Sequence, residues 1–139
     1  YETLPGGAGG GPDGPGASAI QQHMTNTRST PAEVLEARWP VRVERWEIRT
    51  ESGGAGRHPG GDGILKEIRF LAPAVVSTLM TRHDEPPPGV AGGKAGKPGA
   101  VRRMRAGRGA TLAPRTRVEL EAGDVLRILT PGGGGWGRP

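Results

Sequence analysis

Between Gln21 and Thr30 the sequence reads Gln-Gln-His-Met-Thr-Asn-Thr-Arg-Ser-Thr, which gathers an imidazole, a guanidinium, amides and hydroxyls within ten residues. Asn26 is the only asparagine of the chain. Such a set could hold a polar ring or a carboxylate: Arg28 by bidentate pairing, Asn26 as donor and acceptor, His23 as proton donor or electrophile, with the hydroxyls of Thr25 and Thr27 beside them. The competing reading is a turn over Thr25 to Arg28, in which Thr and Asn side chains satisfy their own backbone ahead of a helix cap at Thr30. No complete catalytic set accompanies the run, because the chain has neither a Cys nor a Gly-x-Ser-x-Gly elbow. The catalytic residues therefore stay unassigned.

Glycine loops are the second feature with chemistry. Gly9-Gly10-Gly11-Pro12-Asp13-Gly14 and Gly132-Gly133-Gly134-Gly135-Trp136-Gly137 both fit G-x-G-x-x-G, yet neither opens a helix after a strand, so neither reads as a dinucleotide site. Gly93-Lys94 and Gly96-Lys97 lack the rest of a Walker A loop. What remains open for the first loop, at Gly6, Gly7, Gly9 and Gly10, is a nest of backbone amides for an anion; the alternative is close packing where a side chain would collide. A metal site is not expected in this segment. His23, His58 and His83 lie far apart, and the Pro59-Gly60-Gly61 between His58 and Asp62 reads as a plain tight loop.

The elements that must position these residues are mostly strands. Residues 1–16 alternate Gly with Pro and read as an irregular loop, and Ala17 to Met24 leans to a strand. One short helix is expected near residues 31–38, with Thr30 as N-cap, Pro31 at the first helical position and Glu33 closing a capping box; Trp39 before Pro40 ends it. Val41 and Val43 alternate with charges, then the phase slips by one to Trp46 and Ile48, which predicts a β-bulge. Ile64, Ile68 and Phe70 share a strand face on which Lys66 is the exception, and Ala74 to Met80 reads as a strand buried on both sides. Val101 to Arg105, Thr116 to Leu120 and Val125 to Leu129 complete about six strands, the last two joined closely enough at 122–124 for a hairpin. The fold class is mainly β, a β-biased α+β domain with Gly/Pro-rich loops.

Composition bounds the rest. Val, Ile, Leu and Phe number only 24 of 139 residues, under the roughly 20% expected of an independent fold, so 1–139 reads as a single β-rich segment sharing its core with other polypeptide. Tyr1 and Pro139 both read as cuts. The net charge of +5 arises after Val101, where eight Arg face three acids. Only Trp136 is available there for stacking on a base, so nucleic acid is not the expected partner and a charged strand edge is. No stretch suits a membrane span or a signal peptide, and zero Cys fits a reducing cytoplasm.

The order of motifs resembles the C-terminal region of the hydantoinase B/5-oxoprolinase family. Tyr1-Glu2-Thr3 with its Gly-rich loop, His23-Met24-Thr25-Asn26-Thr27-Arg28, Ser52-Gly53-Gly54-Ala55-Gly56, Gly60-Gly61-Asp62-Gly63, Pro88-Gly89-Val90-Ala91-Gly92-Gly93 and Thr130-Pro131-Gly132-Gly133-Gly134-Gly135-Trp136-Gly137 carry the likeness in colinear order. The resemblance implies part of a hydrolase that opens hydantoins, 5-oxoproline or related lactams beside an ATP-using hydantoinase A-type subunit, ATP activating the amide oxygen before water attacks. It also implies a divalent metal held upstream of this segment. Two departures stand out: Gln21 replaces a second His that often precedes the one matching His23, and Arg82-His83 replaces an Arg-Arg-like pair. Two alternatives remain, a β-domain serving only assembly and a subunit of a related ATP-dependent carboxylase.

Overall fold

The computed structural model describes residues 1–22 and 27–139. In chain order it contains α1 (Ala32–Arg38), β1 (Val41–Arg49), β2 (Gly63–Phe70), β3 (Ala74–Leu79), β4 (Ala100–Arg105), β5 (Arg108–Leu112), β6 (Arg115–Leu120) and β7 (Val125–Leu129). The mainly β expectation holds. Among the described residues there are seven strands, the additional one being β5, whose Arg-Gly-Ala-Thr-Leu carries almost no hydrophobic signal. No helix is long and apolar enough to cross a membrane among the described residues.

The strands form an antiparallel five-stranded sheet in the order β1-β2-β7-β4-β5 and a separate antiparallel ribbon of β3 and β6. The β1–β2 register shifts between Val43 and Arg45, the bulge that the slipped hydrophobic phase announces. Val41, Phe70, Val101, Leu126 and Ile128 from the sheet meet Leu120 from the ribbon in one buried cluster, backed by Leu35 of α1 and Val76 and Val118 of the ribbon. That packing corrects the expected hairpin. β6 pairs with β3 and β7 with β2 and β4, because the 121–124 corner crosses from ribbon to sheet instead of folding back. The corner is pinned: the amide of Gly123 donates to the Phe70 carbonyl at 2.8 Å, and the Glu121 amide donates to the Asp124 carboxylate at 2.9 Å.

Three further expectations change. β3 is not buried on both sides; Ala74, Val76 and Thr78 are half-buried against the core while Val75, Ser77 and Leu79 are exposed. The helix starts at Ala32, with Pro31 as N-cap at ψ 144° and no side-chain cap bond, so the extended Pro31 leaves Thr30 one residue too early to reach the first turn. Ala17 to Ile20 makes no strand; within it, only Ile20 bridges to Gly6.

The glycine segments form no helix or strand, as expected of the first of them, yet their backbone contacts repeat. Residues 131–136 run among three neighbours with a repeat of three. The amides of Gly132 and Gly135 donate to Lys97 and Lys94, those of Gly133 and Trp136 to Gly61 and His58, and the carbonyls of Pro131 and Gly134 accept from Gly7 and Gly10, at 2.8–3.1 Å. Three residues per turn is the period of the polyproline II helix, where a β-strand would alternate between two sides. The chains approach so closely that a Cβ on Gly133 would lie 1.8 Å from the Ala8 carbonyl oxygen, and one on Gly132 1.9 Å from that of Ser52. Only glycine fits there.

Candidate functional site

The polar run at 21–30 departs from the edge of this glycine layer. Ala19 donates its amide to the Asp62 carbonyl at 2.8 Å, Ile20 to the Gly6 carbonyl at 3.1 Å, and the Gln21 side chain donates to the Thr3 carbonyl at 2.8 Å. The run then continues to Thr27 and Arg28, which are exposed, and to the half-buried Ser29 and Thr30 ahead of α1. His23, Thr25 and Asn26 lie outside the described residues, as does Met24. The structure thus brings Gly6 beside the start of the run. Gln21 is held against the N-terminal segment by its own side-chain amide.

The loop candidates are engaged by backbone. The amides of Gly7 and Gly10 donate to Pro131 and Gly134, and the amides of Ala8 and Gly11 to Ala17 and Gly14. Those donors are not available to an anion, so close packing accounts for Gly7 and Gly10. A Cβ on Gly9 would stand 3.7 Å from the Gly134 carbonyl oxygen, an ordinary contact.

Two polar groups hold the N-terminal segment in place, and only one left a trace in the sequence. Lys66, the exception on the apolar face of β2, is completely buried and donates to both carboxylate oxygens of Glu2 at 2.7 and 2.8 Å, with its ammonium 4.3 Å from the centre of the Trp46 ring. A buried ammonium needs such partners, since desolvation of an unpaired charge is severe. The buried Thr130 hydroxyl donates to the Pro5 carbonyl at 2.7 Å and accepts from the Ile64 amide at 2.7 Å. A threonine at the end of a strand gives no sequence signal of that role. Asp62 accepts from the amides of Ser52 and Gly53, both at 2.8 Å, while His58 lies against Trp136 with ring centres 5.8 Å apart, so the 58–62 loop is a structural clasp.

A second polar region lies at the end of the ribbon, an open depression of about 550 Å³ lined in part by Thr81, Arg82, His83, Asp84, Glu85 and Arg115. Burial lowers the His83 pKa; Asp84 opposes that shift and Arg49 adds to it. The imidazole is therefore held toward its neutral form. Arg82 and His83 both line this depression. Among the described residues no three His, Asp or Glu side chains stand close enough to hold a metal ion.

A family model described as hydantoinase B/oxoprolinase matches residues 1–139. The chain belongs to that family. It is 48% identical over 138 residues to 5-oxoprolinase 1 of Arabidopsis thaliana, covering 99% of this chain and 11% of that protein. It is 40% identical over 139 residues to 5-oxoprolinase of Dictyostelium discoideum, with the same two coverages. Among solved structures, an ATP-dependent caprolactamase from Pseudomonas jessenii superposes with a TM-score of 0.80 at 25% identity, over 97% of this chain and 25% of that one. The chain thus spans about a tenth of the length of these 5-oxoprolinase relatives.

Proposed function

We propose that residues 1–139 form the C-terminal, glycine-packed part of an ATP-dependent cyclic-amide hydrolase that opens a hydantoin, 5-oxoproline or a related lactam. The observation that carries this reading is the family match over the whole chain, together with relatives called 5-oxoprolinase and a structural neighbour called an ATP-dependent caprolactamase. ATP supplies activation of the amide oxygen, in a hydantoinase A-type subunit or domain. Among the described residues no group of side chains would hold a metal, and the amides of Gly7 and Gly10 are already engaged.

This segment's part is to complete the substrate pocket with the run at 21–30. Arg28 pairs with the substrate carboxylate or ring carbonyl, Asn26 donates to and accepts from the ring amide, and His23 delivers a proton to the opened nitrogen, with Thr25 and Thr27 as further hydrogen-bond partners. The exposure of Thr27 and Arg28 on one side of the run and the anchoring of Gln21 on Thr3 at its other end support this reading. We place the enzyme in the cytoplasm, consistent with the lack of Cys.

The test uses the full-length protein with its A-type partner and follows ATP-dependent ring opening of 5-oxoproline and hydantoin. Asn26→Ala and Arg28→Ala are each expected to lower turnover by roughly 100-fold or more. An unchanged rate in both would leave these residues with an assembly role only.

A further inference from the structure

Among the described residues four strand edges have no strand beside them, and three of these are guarded. β1 carries Arg42, Glu44, Arg45, Glu47 and Arg49; β5 is five residues long and begins Arg108-Gly109; the outer edge of β6 carries Arg115, Arg117 and Glu119. Charge and shortness are the usual devices against unwanted pairing. β3, reading Ala-Val-Val-Ser-Thr-Leu, has no charge, no proline and no glycine.

Register shows which groups that edge presents. The Met80 amide donates to the Pro114 carbonyl at 3.0 Å, and Leu79 stands opposite Arg115, so Met80 and Pro114 face each other as a hydrogen-bonded pair. Such pairs alternate along an antiparallel ladder, which assigns Ala74, Val76 and Thr78 to β6 and turns the N–H and C=O groups of Val75, Ser77 and Leu79 away from it. Among the described residues nothing accepts those three donors. The same three side chains project from the ribbon's outer face, with Val75 51% and Leu79 80% exposed. An unguarded row of donors with two bare aliphatic side chains beside it has the form of a strand-addition site.

We infer that the outer edge of β3 takes an uncharged extended strand from the part of the enzyme outside residues 1–139, turning the two-stranded ribbon into a three-stranded sheet. A two-stranded ribbon is marginal alone, and a third strand with apolar residues opposite Val75 and Leu79 supplies what it lacks. The 5-oxoprolinase relatives are about nine times as long as this chain, which is room for such a strand.

Hydrogen exchange on the full-length protein, resolved to single amides by fragmentation, tests this directly. Val75, Ser77 and Leu79 are expected to exchange at least about 100-fold more slowly than Arg115, Arg117 and Glu119 on the opposite edge of the same ribbon, and equal rates on the two edges would overturn the assignment. Ser77→Pro removes one outward donor without touching the β6 ladder, so it is expected to lower the melting temperature by several degrees where Arg117→Pro does not; equal tolerance of both contradicts a seated strand. Replacing Leu79 with the photo-cross-linker p-benzoylphenylalanine identifies the occupant. A cross-link to a peptide from outside residues 1–139 in the same polypeptide is expected, while a cross-link to β3 of a second copy, or none, refutes it. These readouts need no turnover, so their failure leaves the hydrolase proposal untouched.

Discussion

The two halves of this molecule are held together by opposite means. The five-stranded sheet and its ribbon bury side chains: Val101, Leu120, Leu126 and Ile128 are almost wholly removed from water. The glycine layer buries backbone, its chains approaching to distances that no side chain allows. In the first region a lost methylene weakens the fold; in the second an added methyl does so wherever backbone stands against the glycine. The layer also gives up chain entropy at glycine without recovering it through hydrophobic contact, so its hydrogen bonds and its ties to the sheet must hold it.

Substitutions of opposite sense sharpen this contrast, and the largest effect is expected from Gly133→Ala. Its methyl would meet the Ala8 carbonyl oxygen, backbone that cannot rotate aside, so the full-length protein should lose about 3 kcal/mol or more in urea unfolding. Gly11→Ala, where nothing lies within 4 Å, should change stability by less than about 0.5 kcal/mol. Equal effects at the two positions would remove close approach as the explanation.

In the sheet region the sense reverses. Leu120→Ala should cost about 3 kcal/mol by leaving a cavity between ribbon and sheet, and a loss under about 1 kcal/mol would mean that this core is not shared between them. Glu2→Gln probes the link between the regions. It leaves the Lys66 ammonium buried with a neutral partner, so the N-terminal segment should detach first, seen as faster exchange of the Gly7 and Ala8 amides before any change in β7. Simultaneous loss of both would show one cooperative unit.

The smallest effect is a pH dependence at the 121–124 corner. The Arg105 guanidinium, and then the Glu121 amide, hold the Asp124 carboxyl down to about 2 against the cost of its burial. A depressed carboxyl stabilises the fold above its unfolded pKa, about 3.9, and that stability is lost as pH falls from there through about 2. Asp124→Asn should therefore flatten the acid limb of the stability curve in that window and leave its slope above pH 5 unchanged. An unaltered acid limb would mean that another carboxyl governs it.

Much of the sheet was legible because its strands alternate. Val41, Val43, Trp46 and Ile48 revealed both a strand and its bulge, and Lys66 stood out as the exception on an apolar face, although nothing local pointed to Glu2 as its partner. β5 was not legible, since Arg-Gly-Ala-Thr-Leu owes its place to pairing with β4 and not to burial. Of the candidate site, the sequence supplied the residue types of the run at 21–30, while its anchoring through Gln21 to Thr3 depends on a contact between residues eighteen apart.

What the sequence determined by itself was the strand content, the family-specific order of motifs and the positions where glycine recurs, because alternation and residue type are local properties. Only the tertiary structure decided that β6 joins β3 instead of β7, and that the glycine segments pack as a three-per-turn layer. The physical reason is that both outcomes rest on partners far away in the chain. A glycine offers no side chain whose period could be read, and a strand's apolar face records that it is buried but not against what.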